Sequence, residues 1–329
     1  MPTILIVGGY GAVGRHIGKN LSSTPANHVI IAGRSLARAR ATGFDARRID
    51  IGDPATWNAA LAGVDLVITC IDQQNTSFLQ ACCKQNAAVL DVTAGDAFFR
   101  QVEALTLSTP ILLSVGLAPG LSNLLAKAAS TEMDRADTID IGLLMGTGDD
   151  HGSAAIAWST AQMFDPHAQI DDAMVDFGPD FGLRKAHYMD FADQHVLART
   201  MPGTRTVTRV TYDSKPLSAL LFWLGRRFAG NSAIEKFVNR LSHLPTFGSD
   251  KCVLSVTAKG SKSGAGVTQT ALFRGRREAA VTAAVASLMA QDLLSGAIPP
   301  GVHHSHQVID PARIFEALEQ LGHGAVGFS

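Results

Sequence analysis

The sequence predicts an α/β protein: an N-terminal doubly wound parallel sheet followed by a central α+β domain with antiparallel strands. Three observations carry that prediction. Short apolar runs alternate with helical patterns from Thr3 to Val115. A glycine cluster, Gly8-Gly9-Tyr10-Gly11-Ala12-Val13-Gly14, joins the first run to the first helix. Beyond Gly120 the texture changes, and segments alternating apolar with polar residues appear around turns.

The first strand is Thr3 to Val7, an apolar run of the kind that parallel strands show when both faces are buried. A helix follows with Val13, Ile17 and Leu21 on one face. His28 to Ala32 is the second strand, ending at Gly33-Arg34-Ser35, and Leu36 to Ala41 a short helix. Phe44 to Ile49 is the third strand, ending at Asp50; Asp53-Pro54 then opens a helix, an N-cap followed by proline at the first helical position. Val64 to Cys70 is the fourth strand, with a helix over Thr76 to Asn86 in which Cys82-Cys83 lies on a packed face. Ala87 to Val92 and Pro110 to Val115 are the fifth and sixth strands. The alternation implies a doubly wound sheet, whose ligands bind beyond the carboxyl ends of the strands.

A helix from Leu121 to Thr131 leads to a strand at Thr138 to Met145, the loop Gly146 to Gly152, and a helix over Ala154 to Phe164. Asp165 to Met201 reads as irregular, Thr204 to Tyr212 as an exposed strand, and Pro216 to Ala229 and Ser232 to Leu244 as helices. Lys251 to Lys259 and Val267 to Phe273 form an antiparallel hairpin around a Gly/Ser/Lys turn. Glu278 to Leu294 and Pro311 to Leu321 are helices.

With 329 residues, 46% of them hydrophobic and 17% charged, the chain has ample apolar content for two domains. A net charge of -1, without basic clusters, gives no pull toward nucleic acid or an anionic membrane. Four cysteines without a Cys-x-x-Cys fit neither a disulfide framework nor a zinc site, and no metal site is expected. Leu217 to Leu224 is too short to span a bilayer. No signal peptide is read before Thr3, and the expected setting is cytoplasmic.

The glycines have a shared chemistry. One permits a tight turn, one admits a pyrophosphate to the backbone, and one lets the helix pack close to its strand. Phosphates then meet the free N–H groups and positive dipole end of the helix. This makes Gly8, Tyr10, Gly11, Ala12, Val13 and Gly14 candidate dinucleotide contacts, the alternative being a plain glycine turn. The strand-end rule adds Arg34, Ser35, Asp50, Cys70, Ile71, Asp72, Thr93 and the stretch Gly116-Leu117-Ala118-Pro119-Gly120, with Gly116, Ala118 and Pro119 near a nicotinamide. Cys70 reads as a small packing residue rather than a nucleophile. Strand two ends without the Asp or Glu that binds the adenosine ribose in NAD-specific domains. Arg34 can grip a 2′-phosphate with paired bonds and Ser35 can add a donor, so NADP is expected over NAD.

For proton transfer the candidates are His151 in Gly148-Asp149-Asp150-His151-Gly152, and Asp91 and Thr93 at the end of strand five. The alternatives are a solvated loop before a helix, with Asp150 as its cap, and for Asp91 an acceptor for nearby backbone N–H groups. His303, His304 and His306 lack the spacing of zinc ligands and read as loop residues. Leu217 to Phe228, with Phe222 and Trp223, reads as a core or dimer-interface helix; the flanking Arg226 and Arg227 leave open a membrane-surface role.

The GGYGAVG cluster, the Gly-Arg after strand two, LDVTAG, VGLAPGLSNLLA and the segment LLSGAIPPGVHHSHQVIDPARIFEALEQLG together resemble the saccharopine dehydrogenase/reductase family. The likeness covers both ends of the chain and is vague from Asp165 to Pro245. It implies a Rossmann domain over residues 1–120, completed by C-terminal helices over about 296–329, and a substrate and dimerisation domain over 121–295. It further implies a pyridine-nucleotide oxidoreductase acting at a C–N bond of a small molecule, as a homodimer. Where lysine-pathway relatives carry an Asp-His pair after the Pro-Gly, this chain has Ser122-Asn123, which points away from saccharopine itself. Two alternatives remain open: a redox sensor that binds NADP(H) without turnover, and a reductase of an apolar acyl chain held around Phe222 and Trp223.

Overall fold

The computed structural model describes residues 1–149, 152–242 and 248–329. In chain order the first half runs β1 (Thr3–Val7), α1 (Ala12–Ser22), β2 (His28–Gly33), α2 (Leu36–Arg40), β3 (Asp45–Arg48), α3 (Trp57–Leu61), β4 (Leu66–Thr69), α4 (Ser77–Lys84), β5 (Ala88–Asp91), α5 (Asp96–Glu103), β6 (Pro110–Leu113) and α6 (Leu121–Ser130). It continues with β7 (Arg135–Met145), α7 (Ser153–Met163), β8 (Ala173–Asp176), β9 (Leu183–Tyr188), α8 (Ala192–Thr200), β10 (Arg205–Tyr212), α9 (Lys215–Arg227) and α10 (Ser232–Leu241). The remainder is β11 (Lys251–Lys262), β12 (Ala265–Arg276), α11 (Glu278–Leu294), β13 (Gly301–His304), α12 (Ser305–Val308), α13 (Pro311–Gln320) and β14 (Gly324–Phe328).

Contacts divide the chain into two units: Met1–Leu124 with Ala280–Leu318, and Leu125–Ala279 with Glu319–Ser329. The first unit holds a seven-stranded parallel sheet in the order β13-β6-β5-β4-β1-β2-β3. Ile4 to Val7, Ile30, Ile31 and Leu66 to Ile68 are buried, as a sheet covered on both faces requires. Ile17 and Leu21 put the apolar face of α1 into this core. Asp53 accepts the Ala55 N–H at 3.1 Å, capping a single 3-10 turn over Pro54–Thr56 that leads into α3. Strand order reverses between β1 and β4, which creates the crevice where such sheets take ligands.

The second unit holds a mixed sheet in the order β14-β12-β11-β7-β10-β9-β8, with β7 and β10 parallel and the other pairs antiparallel. Here the structure corrects the sequence reading. Asp165 to Met201, expected to be irregular, contains β8, β9 and α8. Thr204 to Tyr212 is not an exposed strand: residues 207–212 of β10 are buried between β7 and β9. Its polar side chains are satisfied internally. Arg209 donates to Asp140 at 2.8 Å and Asp171 at 2.7 Å, and Thr208 donates to Asp193 at 2.7 Å. Buried polar groups bonded in this way cost little, so the alternation did not report exposure.

The C-terminal segments also differ from expectation. His303-His304, expected in a loop, lies in β13, which pairs with β6, and His306 lies in α12. Most of α11 groups with the first unit, where the Thr282 hydroxyl accepts the Leu117 N–H at 3.3 Å. The end of the chain groups with the second, because β14 pairs with β12. An additional helix, α5, stands between β5 and β6.

Candidate functional site

The glycine cluster turns sharply out of β1 at the reversal point. Gly8 has φ +79°, a conformation open to glycine, and a Cβ there would lie 2.6 Å from the Ile71 side chain beyond β4. Gly14 is the close-packing glycine: a Cβ would lie 2.6 Å from Gly9 Cα. Gly11 is exposed at the N-cap of α1, and no side chain caps that helix. The first turn begins with Arg15 N–H bonded to Gly11 O at 3.1 Å, which leaves the N–H groups of Ala12, Val13 and Gly14 as the orphans of the helix start. Arg15 Nε donates to Tyr10 O at 2.8 Å and fastens the loop. A tight turn, an open backbone approach and unpaired N–H groups at a positive dipole end suit a dinucleotide pyrophosphate.

Tyr10 lies across the end of β2. A Cβ on Gly33 would come 2.5 Å from its ring, and Arg38 stacks over the ring at 4.5 Å from the centroid. Arg34 is exposed and has no ion pair among the described residues. Ser35 caps α2, accepting the Arg38 N–H at 3.3 Å, so its hydroxyl hydrogen stays available as a donor. Asp50 shapes its own turn. Its carboxylate accepts the Gly52 N–H at 3.0 Å, and its carbonyl accepts from Thr56 Oγ1 and Trp57 Nε1.

At the ends of β4 and β5 the structure assembles a buried polar cluster only partly visible in the sequence. Asp91 is fully buried and accepts from Gln73 Nε2 at 2.7 Å, Thr93 N–H at 2.9 Å and the hydroxyls of Thr69 and Thr93. Burial pushes its carboxyl above the ordinary value, against the pull of those donors. Gln73 Oε1 is buried without a partner. Nothing local in the sequence marks Gln73 as part of a site. Burial, with the charge of Asp91 added, lifts the Cys70 thiol to about 12, so it stays protonated at neutral pH.

Beyond β6, Gly116-Leu117-Ala118-Pro119-Gly120 closes on itself, with a cis Ala118–Pro119 peptide. Gly116 N–H donates to Pro119 O and Leu121 N–H to Gly116 O, each at 2.8 Å. Gly120, at φ +137°, leaves no space for a side chain, because a Cβ would sit 2.2 Å from Gly116 O. Ser122 and Asn123 are fully buried. Asn123 Oδ1 accepts the Gly120 N–H at 2.8 Å, while Ser122 Oγ and Asn123 Nδ2 have no partner. Behind the turn, Ser114 (φ +58°) bonds His304 Nδ1 at 2.9 Å, and His304 Nε2 meets Glu103 at 3.0 Å.

His151 and Asp150 lie outside the described residues. Of the same loop, Asp149 accepts the Glu278 N–H at 2.6 Å, and Gly148 N–H donates to Ser249 O at 2.9 Å. No cluster of His, Cys, Asp or Glu among the described residues suits a metal ion. No described helix is long and apolar enough to cross a membrane.

Comparison with known proteins agrees with this geometry. Residues 4–113 match the family model for the saccharopine dehydrogenase NADP binding domain. No curated protein matches the chain by sequence. Over its full length the fold is similar to saccharopine dehydrogenase (L-Glu forming) from Saccharomyces cerevisiae, at 14% identity and a TM-score of 0.74, with 100% of both chains covered. It is also similar to an engineered D-amino acid dehydrogenase, at 16% identity and a TM-score of 0.51, covering 97% of this chain and 99% of that one. Residues 4–113 thus carry a saccharopine dehydrogenase-type NADP-binding domain, and the chain as a whole shares the fold of saccharopine dehydrogenase.

Proposed function

We propose that this protein is an NADP(H)-preferring reductase acting at a C–N or C=O centre of a small amino-acid-derived substrate. The observation that carries the reading is the glycine cradle at the reversal point of the sheet, closed by Gly14 and Gly8 and lined by the N–H groups of Ala12, Val13 and Gly14. The exposed, unpaired Arg34 and the absence of a carboxylate at the end of β2 support NADP(H) over NAD(H). The two whole-length structural neighbours are named for L-glutamate formation and for D-amino acids, which supports an amino-acid-derived substrate.

The bound nucleotide supplies the hydride. The N–H groups of the α1 start would hold the pyrophosphate, and Arg34 with Ser35 would hold the 2′-phosphate. Asp91 acts as a positioning residue: its four donors fix the ends of β4 and β5, and Thr93 with them. The backbone turn Gly116–Gly120 would wall the nicotinamide side. On this reading His151 would give the proton that the substrate nitrogen or oxygen takes up as its C=N or C=O bond is reduced. A homodimer, with the second unit contributing the interface, completes the reading.

The test is NADPH oxidation followed at 340 nm against imines formed from 2-oxo acids and amines, and against simple carbonyls, beside direct titration of NADPH. Turnover with one class, reduced about 10²- to 10⁴-fold in His151→Asn with cofactor affinity retained, supports the roles assigned. Tight NADPH binding with no oxidation across the panel replaces the reading with a redox sensor.

A further inference from the structure

The second unit carries a groove of about 720 Å³ between the β8–β9 hairpin and α9, within the size range of small-molecule sites. Every described residue lining it lies in Leu125–Ala279, within the second unit. Helix α9 turns one face to the groove, with Lys215, Ala219, Phe222, Trp223 and Arg226 recurring at spacings of three and four. Strand β9 contributes Leu183, Lys185 and His187 from one face, as its period of two dictates, and Arg184 from beside them.

The floor is complete in itself. The His187 ring stacks on Phe222 with centroids 4.1 Å apart, and the Thr211 and Ser218 hydroxyls bond each other at 3.1 Å. The wall is the opposite: Met174, Leu183 and Trp223 are 60%, 60% and 56% exposed, a concentration of uncovered apolar surface around one hollow. The rim is cationic, and among the described residues no carboxylate lines the groove. Asp172 answers Arg226 through paired bonds and Lys185 at 3.2 Å. Lys215 and Arg227 have no ion pair among the described residues; Arg227 only overhangs the Phe228 ring at 5.3 Å.

A second copy docking here about a two-fold axis would set these cations against themselves. An apolar body with one negative end matches both wall and rim. We propose that this groove binds a single anionic amphiphile of the long-chain carboxylate class. Its chain lies along Met174, Leu183 and Trp223, and its carboxylate meets Lys215 and Arg227.

The experiment is calorimetric titration of the full-length protein with dodecanoate kept below its micelle concentration, beside dodecanol and butyrate. The expected result is saturable one-to-one binding of dodecanoate. Dodecanol and the Lys215→Ala/Arg227→Ala protein should each bind at least about tenfold more weakly, as expected for loss of a charged contact. Ala219→Trp, which fills the groove from an exposed position, should abolish binding while the melting temperature holds. Absence of saturable binding, equal affinity for dodecanol, or undiminished affinity in Ala219→Trp overturns the proposal. So does sedimentation with phosphatidylglycerol vesicles without binding of monomeric dodecanoate, which would make the face a membrane surface. Self-association that Ala219→Trp blocks, with no binding of dodecanoate, would make it a contact between copies and overturn it equally.

Discussion

Replacing Gly11 by valine should separate binding from folding. Gly11 has φ −77° and ψ 176°, backbone open to any residue, and the nearest atom to a Cβ is Gly8 O at 3.2 Å. The fold therefore loses little beyond a glycine cap, for which a branched side chain is a poor substitute at a cost of about 1 kcal/mol. In a protein of this size that lowers Tm by about 1–2 °C. The valine methyls, however, occupy the approach to the N–H groups of Ala12, Val13 and Gly14. Losing two bonds to a charged phosphate, at about 1.5–3 kcal/mol each, weakens NADPH about 10²- to 10⁴-fold. Gly14→Val is the contrast, because its Cβ would lie 2.6 Å from Gly9 Cα and 2.7 Å from Gly8 O, both backbone atoms that no rotamer change can move. Overpacking of that kind costs about 1–3 kcal/mol or more, so stability and binding should fall together. NADPH fluorescence titrations run beside thermal melts decide the matter. A folded Gly11→Val protein with unchanged NADPH affinity would refute the assignment of the loop.

Arg34→Ala should weaken NADPH about ten- to a hundredfold, from the loss of about 1.5–3 kcal/mol of charged hydrogen bonding, and leave NADH unaffected; equal losses for both would remove Arg34 from the 2′-phosphate. Burial raises the thiols of Cys70, Cys82, Cys83 and Cys252 above their ordinary value, so an aromatic disulfide reagent at pH 7.5 should label none of them rapidly before denaturation. A fast stoichiometric reaction of the native protein would contradict that. Burial alone would raise the Asp172 carboxyl, but Arg226, the charge of His187 and Lys185 bring it down to about 2. Its contribution is therefore present above its unfolded value and lost as pH falls from about 4 through about 2, on the order of 1 kcal/mol after solvent screening. Asp172→Asn should flatten that part of the acid melting profile; an identical profile in both proteins would show that the pair does not act on stability.

The first unit was legible because buried parallel strands advertise themselves. Thr3–Val7, His28–Gly33 and Leu66–Thr69 are continuous apolar runs, and the glycines between them have few other uses. What failed had no local signal. Arg209 and Thr208 read as solvent-facing because their partners Asp140, Asp171 and Asp193 are 69, 38 and 15 residues away. Strand β13 is Gly-Val-His-His and β14 Gly-Ala-Val-Gly-Phe, too short and glycine-rich to carry a period; each exists because a longer strand offers it an edge. In the site the backbone features were readable, since glycine and proline mark them. Gln73, Thr69 and His304 were not, because a buried hydrogen-bond cluster is defined by who meets whom across the sheet.

The pairing of β6 with β13 bears on how the protein is made. The contact tying them, Ser114 to His304, spans 190 residues. At about 5–20 residues per second on the ribosome, β6 waits about 10–40 s for the strand that covers it. Through that interval the nascent chain presents Pro-Ile-Leu-Leu as an open edge of an otherwise finished sheet, a template for pairing with other chains. Messages that pause before Gly301 should lengthen the exposure and increase the demand for chaperones that shield extended apolar segments. The yield of native protein should accordingly depend on the speed of translation over its last third more than on that over its first.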